Sequence, residues 1–402
     1  MSEMDQIVSI KNLWKVFGQK PKDISWEQMK TTKNDDKLKK SGCVAALRDV
    51  SMDIGRGEFF VIMGLSGSGK STLIRTLIRL IEPTKGSITV SGSDVIKLDK
   101  QGLMEFRRHK ASMVFQNYAL LPHKTVLENA AYGLKIQGMK EKDRLEKAQT
   151  ALETVGLKGW ESYYPGNLSG GMQQRVEISR ALETDPEILL MDEPFSRLDP
   201  LIRRQMQDEL VELQDTVKKT IIFVTHDLHE ALKLGSRIAI MKGGSVVQIG
   251  TPEEVVTNPA DDYVKEFVKD ASPAKIITAG LIMEEPDVLL YRWEGPKTAR
   301  HLLRSSKRES AFVISKKREL LGIATINALD KVLKEGGSEF GDSLDTDIAR
   351  CTIDTTLEEL FPVATNTSYS VAVVDEKGRF LGEIRPRMIL DAMSQKEDEE
   401  DV

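Results

Sequence analysis

The stretch EFFVIMGLSGSGKSTLIRTLIRL, residues 58–80, decides the fold of this 402-residue chain. It starts as a continuous apolar run, passes through a loop rich in glycine and serine, and continues with helical periodicity. The loop GLSGSGKST (64–72) matches the phosphate-loop pattern G-x-x-x-x-G-K-[ST], with the required strand before it and helix after it. Its glycines let successive backbone N–H groups surround an anion at the N-terminus of a helix.

The phosphate loop supplies the first candidate nucleotide-binding residues. Lys70 can reach the β- and γ-phosphates of a nucleoside triphosphate, where it has a catalytic role, and the Ser71 hydroxyl can bind Mg²⁺. The residues expected to surround the phosphates are Gly64, Leu65, Ser66, Gly67, Ser68, Gly69, Lys70, Ser71 and Thr72.

Three further apolar runs end in polar residues suited to phosphate chemistry. Asp192 and Glu193 close one run, and since parallel strands end at one edge of a sheet, both should face the phosphates. We expect Asp192 to hold Mg²⁺ through water and Glu193 to act as the general base. His226 is expected at the γ-phosphate, although a lone histidine is usually structural. The Gln116 amide oxygen suits Mg²⁺ or the attacking water.

Composition limits the classes of function. Lysine and arginine number 57 against 62 acidic residues, a net charge of −5 that argues against a general nucleic-acid binder. Cys43 and Cys351 are far apart and lack metal-ligand spacing, which favours a disulfide-free fold in a reducing compartment. We find neither a signal-peptide pattern nor an apolar run of membrane-spanning length. We therefore expect a protein that acts outside the bilayer.

The pattern of the chain predicts two domains. Buried strands alternating with amphipathic helices indicate an α/β domain with a mostly parallel sheet over residues 1–270. A linker, DASPAKI (270–276), leads to a smaller α+β domain over 275–395, and an acidic tail occupies 396–402. The predicted strands are 58–64, 111–116, 187–194 and 220–226, and the predicted helices are 142–156 and 200–217.

The second domain contains an internal repeat. AFVISKKRELLGIA (311–324) aligns without gaps on VAVVDEKGRFLGEI (371–384). Each copy is predicted as strand, polar turn and strand, with a helix before it. We place the repeats at about 275–335 and 338–395, and expect them to pack as a pair because each is small for an independent core.

LSGGMQQR (168–175) is a second anion-binding pattern, at the start of a predicted helix and without a lysine. With the phosphate loop and the carboxylate pair, it resembles the ATP-binding cassette (ABC) family over roughly residues 7–270. The resemblance implies ATP and Mg²⁺ as cofactors. It also implies a homodimer in which the signature of one cassette closes over the ATP of the other. The residues it adds to the nucleotide site are Ser169, Gly170, Gly171, Gln173 and, in the D-loop SRLD (196–199), Asp199.

The resemblance further implies an aromatic ring that stacks on adenine near the N-terminus. Phe17 in LWKVFG is the first candidate and Trp14 the alternative. A ring at either position is equally compatible with a place in the core.

An insertion at 18–43, together with LIEPTKG (80–86) and DPLIRRQMQDEL (199–210), resembles the ATPase subunits of glycine betaine/proline betaine importers. That implies quaternary-amine uptake at the cytoplasmic face of the cell membrane. It also implies separate transmembrane permease subunits with a substrate-binding domain or protein, contacted through residues 117–130. The alternatives are an importer of another solute, a soluble ABC ATPase and a nucleotide sensor with an inactive cassette.

The repeats resemble tandem cystathionine-β-synthase (CBS) domains. These commonly bind adenine nucleotides, but Arg385 and Met388 replace the usual polar and acidic residues. An adenine nucleotide, a cyclic dinucleotide and no nucleotide all stay open. A cation cluster in the first repeat is either solvated or docks on an anionic membrane surface, which would make it sensitive to ionic strength. Its members are Lys297, Arg300, Arg304, Lys307, Arg308, Lys316, Lys317 and Arg318.

Overall fold

A computed structural model describes residues 6–18, 24–31, 35–269, 274, 277–367 and 369–394. The chain forms two compact units, residues 1–269 and 270–402. The expected linker at 270–276 lies outside the described residues apart from Ala274, and so does the expected acidic tail at 396–402.

The first unit contains ten strands and eleven helices among the described residues. The strands are β1 (Gln6–Phe17), β2 (Val44–Gly55), β3 (Phe59–Met63), β4 (Lys85–Val90), β5 (Ser93–Asp94), β6 (Ala111–Val114), β7 (Ile188–Asp192), β8 (Thr220–Thr225), β9 (Arg237–Lys242) and β10 (Ser245–Gly250). The helices are α1 (Asp35–Lys40), α2 (Lys70–Leu77), α3 (Lys100–His109), α4 (Val126–Ala130), α5 (Tyr132–Ile136), α6 (Glu141–Thr154), α7 (Gly170–Glu183), α8 (Pro200–Val217), α9 (Leu228–Leu234), α10 (Pro252–Thr257) and α11 (Asp262–Val268).

The central sheet has the order β10-β9-β3-β8-β7-β6 and is parallel except for the β9–β10 pair. Strands β3, β7 and β8 are buried along their whole length. The predicted α/β class with a mostly parallel sheet is confirmed. Because β3, β7 and β8 run in the same direction, the residues that follow them meet at one edge of the sheet.

A second sheet, of order β2-β1-β4-β5, is antiparallel and was not predicted. It shares a hydrophobic core with the central sheet and α2. Ile10, Val50 and Ile88 enter this core from the antiparallel sheet, and Ile62 and Leu73 enter from β3 and α2. The phosphate loop is thus supported by both sheets.

A separate helical core is built from α4, α6 and α7, with Val126, Leu152 and Val176 fully buried. It connects the segment after Gln116 to the helix that begins in LSGGMQQR. The predicted helices at 142–156 and 200–217 correspond to α6 and α8.

The described part of the insertion is folded. A short 3₁₀ turn at Glu27–Met29 and helix α1 pack into a small core with Trp14, Met29, Leu38 and Cys43. The Trp14 ring meets the Trp26 ring edge-on at 5.1 Å between centroids. The insertion therefore forms part of the first unit and packs on β1.

The second unit contains two copies of one motif. Its elements are α12 (Ala279–Ile282), β11 (Leu289–Tyr291), α13 (Gly295–Ser305), β12 (Ser310–Ile314), β13 (Leu320–Thr325), α14 (Ile326–Lys334), β14 (Arg350–Cys351), α15 (Leu357–Thr365), β15 (Val371–Val374), β16 (Phe380–Ile384) and α16 (Pro386–Ser394). The sheets β11-β12-β13 and β14-β15-β16 each combine one parallel and one antiparallel pair.

A shared core joins the two copies. Phe312 and Phe380 lie 5.0 Å apart between ring centroids, in a cluster with Ile323 and Ala372. The two copies of the motif therefore pack as a pair. No described helix in either unit is long and apolar enough to cross a membrane.

Candidate functional site

The phosphate loop is shaped by glycines at positive φ. Gly69, at φ 103°, immediately precedes α2, and a Cβ there would lie 2.5 Å from the carbonyl oxygen of Ala46. Only glycine fits this close approach. Lys70 Nζ donates hydrogen bonds to the carbonyl oxygens of Gly64 (2.8 Å) and Leu65 (3.2 Å). The Lys70 side chain therefore folds back over the phosphate loop, so that its ammonium group lies at the beginning of that loop.

The Lys70 ammonium is a buried charge close to two acids. Lys70 is 4% exposed, and its Nζ lies 3.8 Å from Glu193 Oε1. Burial lowers the pKa of Lys70, and the carboxylates of Glu193 and Asp192 oppose that shift. An anionic phosphate near Lys70 would add to the stabilisation of the charged form.

Asp192 is fully buried at the end of β7. Its Oδ1 accepts a hydrogen bond from Ser71 Oγ at 2.8 Å, and its Oδ2 accepts one from Arg75 at 2.9 Å. Sequence reasoning did not single out Arg75. The sequence signal that could have identified Arg75 is a basic residue one helical turn after Ser71, on the side of the helix that faces Asp192.

Ser71, Asp192 and Gln116 offer only oxygen ligands, which suits Mg²⁺. The described residues contain no group of three His, Cys, Asp or Glu side chains able to hold a metal ion. Mg²⁺ in nucleotide sites typically takes one or two protein ligands and completes its shell with phosphate oxygens and water. The residues present therefore fit a Mg²⁺ ion that binds together with a nucleotide.

Glu193 is held by two neighbours. Its Oε2 lies 3.1 Å from Gln116 Nε2 and 3.2 Å from His226 Nδ1. Its backbone is in the left-handed region, at φ 48°, and its N–H donates to the Val224 carbonyl at 3.0 Å. The structure thus brings Gln116, Glu193 and His226 together beside Lys70.

These groups line a cavity of about 690 Å³, a volume within the range of small-molecule sites. Its lining includes most of the phosphate loop, Gln116, Glu193 and His226. It also includes residues between 35 and 48, which belong to the insertion and the start of β2. Sequence reasoning left the role of the insertion open and did not place it at this cavity.

The signature residues lie elsewhere on the same unit. Ser169 caps α7, its Oγ accepting from the Met172 N–H at 3.3 Å. A Cβ on Gly170 would lie 3.0 Å from the Tyr118 hydroxyl, and one on Gly171 would lie 2.7 Å from the Ile202 side chain. A side chain at position 171 would therefore displace Ile202, whereas one at position 170 would need only a small shift of the Tyr118 side chain.

Gln173 and Asp199 have partners within their own chain. Gln173 Nε2 donates to the carbonyl oxygens of Pro165 (3.0 Å) and Leu168 (3.2 Å). Asp199 caps α8 by accepting from the Ile202 N–H at 3.0 Å. Of the described residues that line the cavity, none belongs to the signature or the D-loop. Within one chain, these residues therefore lie outside the cavity that the phosphate loop lines.

The two candidate aromatic residues differ in exposure. Trp14 is 2% exposed and packs against Trp26, so it has no free face for a base. Phe17 is 43% exposed, with Lys15 Nζ 4.7 Å from its ring centroid. Its strand partner Val44 belongs to the described cavity lining, and Phe17 itself does not. The alternative assignment to Trp14 is wrong, and Phe17 stays a prediction.

A buried ion pair holds the segment that carries Gln116. Glu177 is fully buried, and its Oε1 accepts from the N–H groups of Phe115 and Ala119, each at 3.3 Å. Arg180 contacts the same carboxylate at 3.3 Å and donates to the Ala119 carbonyl at 2.6 Å. Burial raises the pKa of Glu177, and Arg180 opposes that shift. The sequence does contain a signal for this buried ion pair, an acidic residue among the apolar positions of α7, but that signal was overlooked.

The cation cluster of the second unit is partly neutralised. Arg300 and Arg304 pair with Asp330, at 2.9 and 3.1 Å. Arg308 pairs with Asp287, and Arg318 Nε donates to the Phe380 carbonyl at 3.1 Å. Three of the arginines in the cluster are thus paired with carboxylates, whereas Arg318 has no carboxylate partner among the described residues and is held by a backbone carbonyl.

A cavity between the repeats of the second unit is small, about 130 Å³, and its lining includes Asp287 and Glu383. Near it, Arg385 pairs with Glu284, and the Arg385 N–H contacts Met388 Sδ at 3.2 Å. In this conformation the cavity is smaller than typical small-molecule sites. The lining also includes Arg308, which pairs with Asp287.

Comparison with known proteins supports the assignment of both units. The ABC transporter family profile matches residues 47–196, and the CBS domain profile matches residues 341–395. The glycine betaine/carnitine transport ATP-binding protein of Listeria monocytogenes is 44% identical, over 97% of this chain and 98% of its own. The glycine betaine transport ATP-binding protein of Bacillus subtilis is 46% identical, over 93% and 89%.

Solved structures agree with the fold of the first unit. A dimeric ATP-binding cassette in a post-hydrolysis state, bound to ADP and Pi, matches with a TM-score of 0.52 and 32% identity. The match covers 61% of this chain and 98% of that one. The chain therefore belongs to the ATP-binding proteins of ABC transporters, in the family that includes the glycine betaine transport ATP-binding proteins.

Proposed function

We propose that this chain hydrolyses ATP to power the uptake of glycine betaine, or a related quaternary ammonium osmoprotectant, through separate permease subunits. Support comes from the length of the match: relatives named for glycine betaine transport align along 93–97% of the chain. Relatives named for trimethylamine N-oxide transport align over 69–70% of it, at 49% and 45% identity. A solute other than betaine is the second candidate.

The convergence of five side chains on one cavity, with Asp192 buried behind Ser71, carries the catalytic proposal. Lys70 neutralises the β- and γ-phosphates, and Glu193 takes a proton from the attacking water. Gln116 and His226 orient that carboxylate, which they already contact. Ser71 and Asp192 would hold Mg²⁺, which would supply positive charge to the phosphate oxygens.

We further propose that the active form is a homodimer in which each site is completed by the partner's signature. The separation of the signature from the phosphate loop within one chain supports this arrangement. ATP binding closes the dimer and hydrolysis reopens it. Residues 117–130 transmit that motion to the permease, which keeps the chain at the cytoplasmic face of the membrane.

The second unit is proposed to regulate transport. The repeats at about 275–335 and 338–395 form a CBS pair that responds to ionic strength, to an adenine nucleotide or cyclic dinucleotide, or to both. Lys316 and Lys317 are exposed cations in the turn between β12 and β13. Each would contribute about 1 kcal/mol of attraction to an anionic lipid surface, and salt would screen that attraction.

Reconstitution tests the transport proposal. The chain is expected to copurify from detergent extracts with a multi-spanning membrane protein. Vesicles that hold the complex should take up labelled glycine betaine only with ATP, and excess unlabelled trimethylamine N-oxide should compete weakly. Preferential uptake of trimethylamine N-oxide would show that it, and not betaine, is the transported solute. Purification without any membrane partner would exclude coupling to transport.

The regulatory proposal has its own test. Replacing Lys316 and Lys317 by glutamine should lower the salt concentration at which transport begins, in vesicles rich in anionic lipid. Lys377→Gln, an exposed lysine in the equivalent turn of the second repeat, is the matched control. Arg318 is kept because it binds the Phe380 carbonyl. An unchanged threshold in the double variant would exclude these lysines as the sensor.

A further inference from the structure

The insertion lies at the nucleotide cavity. Besides the phosphate loop and the catalytic side chains, the cavity is lined by Asp35, Leu38, Lys39, Cys43, Val44 and Arg48. In the proposed function, the triphosphate occupies the part near Lys70. The ribose and base are bonded to that triphosphate, and the remainder of the same cavity is the enclosed space next to it.

The chemistry of this remainder suits a nucleoside. Val44 is 52% exposed and Leu65 is 57% exposed, so both present apolar surface where a base can pack. Lys39 is exposed on α1 and carries hydrogen-bond donors. Ring nitrogens and ribose hydroxyls are acceptors for such donors.

Arg48 connects the insertion to the turn between β9 and β10. Its side chain is 3% exposed, donates to the carbonyl oxygens of Met29 (2.6 Å) and Thr31 (2.9 Å), and pairs with Asp35. Its backbone N–H donates to the Gly244 carbonyl at 2.8 Å.

Two further contacts hold α1 and the start of β2 in place. The carbonyl of Ala46, two residues before Arg48, makes the close approach to Gly69 in the phosphate loop. Leu38 and Cys43 are buried in the core that the insertion forms with β1 and β2. Helix α1 is thus held in place relative to the site of the phosphates.

We propose that α1 and the start of β2 form the nucleoside-binding wall of the ATP site, with Lys39 as a donor to the base or ribose and Val44 as a packing surface for the base. This inference rests on the proposed ATPase function. It assigns to the insertion a part in nucleotide affinity.

The test compares ATP with inorganic triphosphate, which has the phosphates and lacks the nucleoside. Titration calorimetry on the full chain is performed with Lys39→Ala and Val44→Ser. Lys40→Ala, an exposed lysine on the same helix outside the described cavity lining, is the control. Lys70→Ala tests the phosphate site itself. Thermal melting of each variant checks that the fold is retained.

We expect Lys39→Ala and Val44→Ser to raise the Kd for ATP by about three- to tenfold, the loss of one ordinary contact. Triphosphate affinity should stay unchanged, as should both affinities of Lys40→Ala. Equal weakening of ATP and triphosphate would show that α1 acts on the phosphates by charge alone and would overturn the inference. Unchanged ATP affinity in both cavity variants would also overturn it. If Lys70→Ala weakened neither ligand, the ATP site itself would be misplaced, which is a separate failure.

Discussion

Glu177→Ala is expected to uncouple the segment at 115–119 from α7. Glu177 is fully buried, and removing its carboxylate leaves the N–H groups of Phe115 and Ala119 without their acceptor. It also leaves Arg180, whose side chain is 14% exposed, without its counter-ion. Arg180 keeps its hydrogen bond to the Ala119 carbonyl. The segment therefore loses most, but not all, of its attachment.

The size of the effect follows from these contacts. Removing one partner of a buried ion pair typically costs about 3–5 kcal/mol. The three bonds to Glu177 are each 3.3 Å long, near the upper limit for hydrogen bonds, which places the loss near about 3 kcal/mol. Glu177→Gln retains an acceptor for the N–H groups and loses the charge, so we expect about half that loss.

Two assays separate stability from function. Denaturant unfolding of each variant gives the change in the free energy of unfolding. Steady-state hydrolysis gives kcat, and calorimetry gives the Kd for ATP. Because Gln116 lies on the segment and Glu177 is outside the described cavity lining, kcat should fall while the Kd stays nearly constant. Unfolding free energies within about 0.5 kcal/mol of wild type for Glu177→Ala, with an unchanged kcat, would refute the assignment of Glu177 as the residue that positions this segment.

Three further predictions address the chemistry, the dimer and the pH dependence. Glu193→Gln should bind ATP but lose at least about a hundredfold in hydrolysis, and wild-type turnover in a purified sample would exclude Glu193 as the base. Mixing a Lys70→Ala chain with a Ser169→Arg chain should restore part of the ATPase activity, because a heterodimer has one site free of both changes. If the mixture were no more active than each variant alone, the signature would not complete the partner's site in a form that can hydrolyse ATP by itself. Burial raises the pKa of Glu183 to about 8, so the folded protein keeps a proton that the unfolded chain loses near pH 4.5. Stability should therefore fall as the pH rises from about 5 to 8, and Glu183→Gln should flatten the curve of Tm against pH; an unchanged slope would show that Glu183 does not titrate in this interval.

The central sheet is predictable from sequence because its strands are buried on both faces. The runs that form β3, β7 and β8 are mainly apolar and fully buried, and they are followed at the same edge by the phosphate loop, Glu193 and His226. Their positions, together with the phosphate-loop pattern, predict that Lys70, Glu193 and His226 lie near one another. The apolar pattern of the strands, together with the rule that parallel strands end at one edge of a sheet, is enough to predict this part of the site.

The antiparallel sheet and the wall of the cavity are not predictable in this way. Strand β1 pairs with β2 across the insertion and with β4 through an irregular register, so the pairing depends on contacts distant in sequence. Lys39 reaches the cavity only because Arg48 and the small core around Leu38 fix α1. Nothing in the local pattern of the lysine-rich insertion distinguishes Lys39 from the adjacent Lys40.

The left-handed backbone conformation of Glu193 lowers the stability of the fold, whereas its carboxylate is proposed to be needed for turnover. Selection for stability and selection for activity therefore favour different residues at this position. A side chain other than glycine or asparagine in that region costs roughly 1–2 kcal/mol. Replacing Glu193 by glycine would relieve this strain and remove the carboxylate at the same time. A library of this protein screened only for thermal resistance should therefore accumulate inactive members at position 193, whereas a library screened for growth under osmotic stress should retain glutamate there.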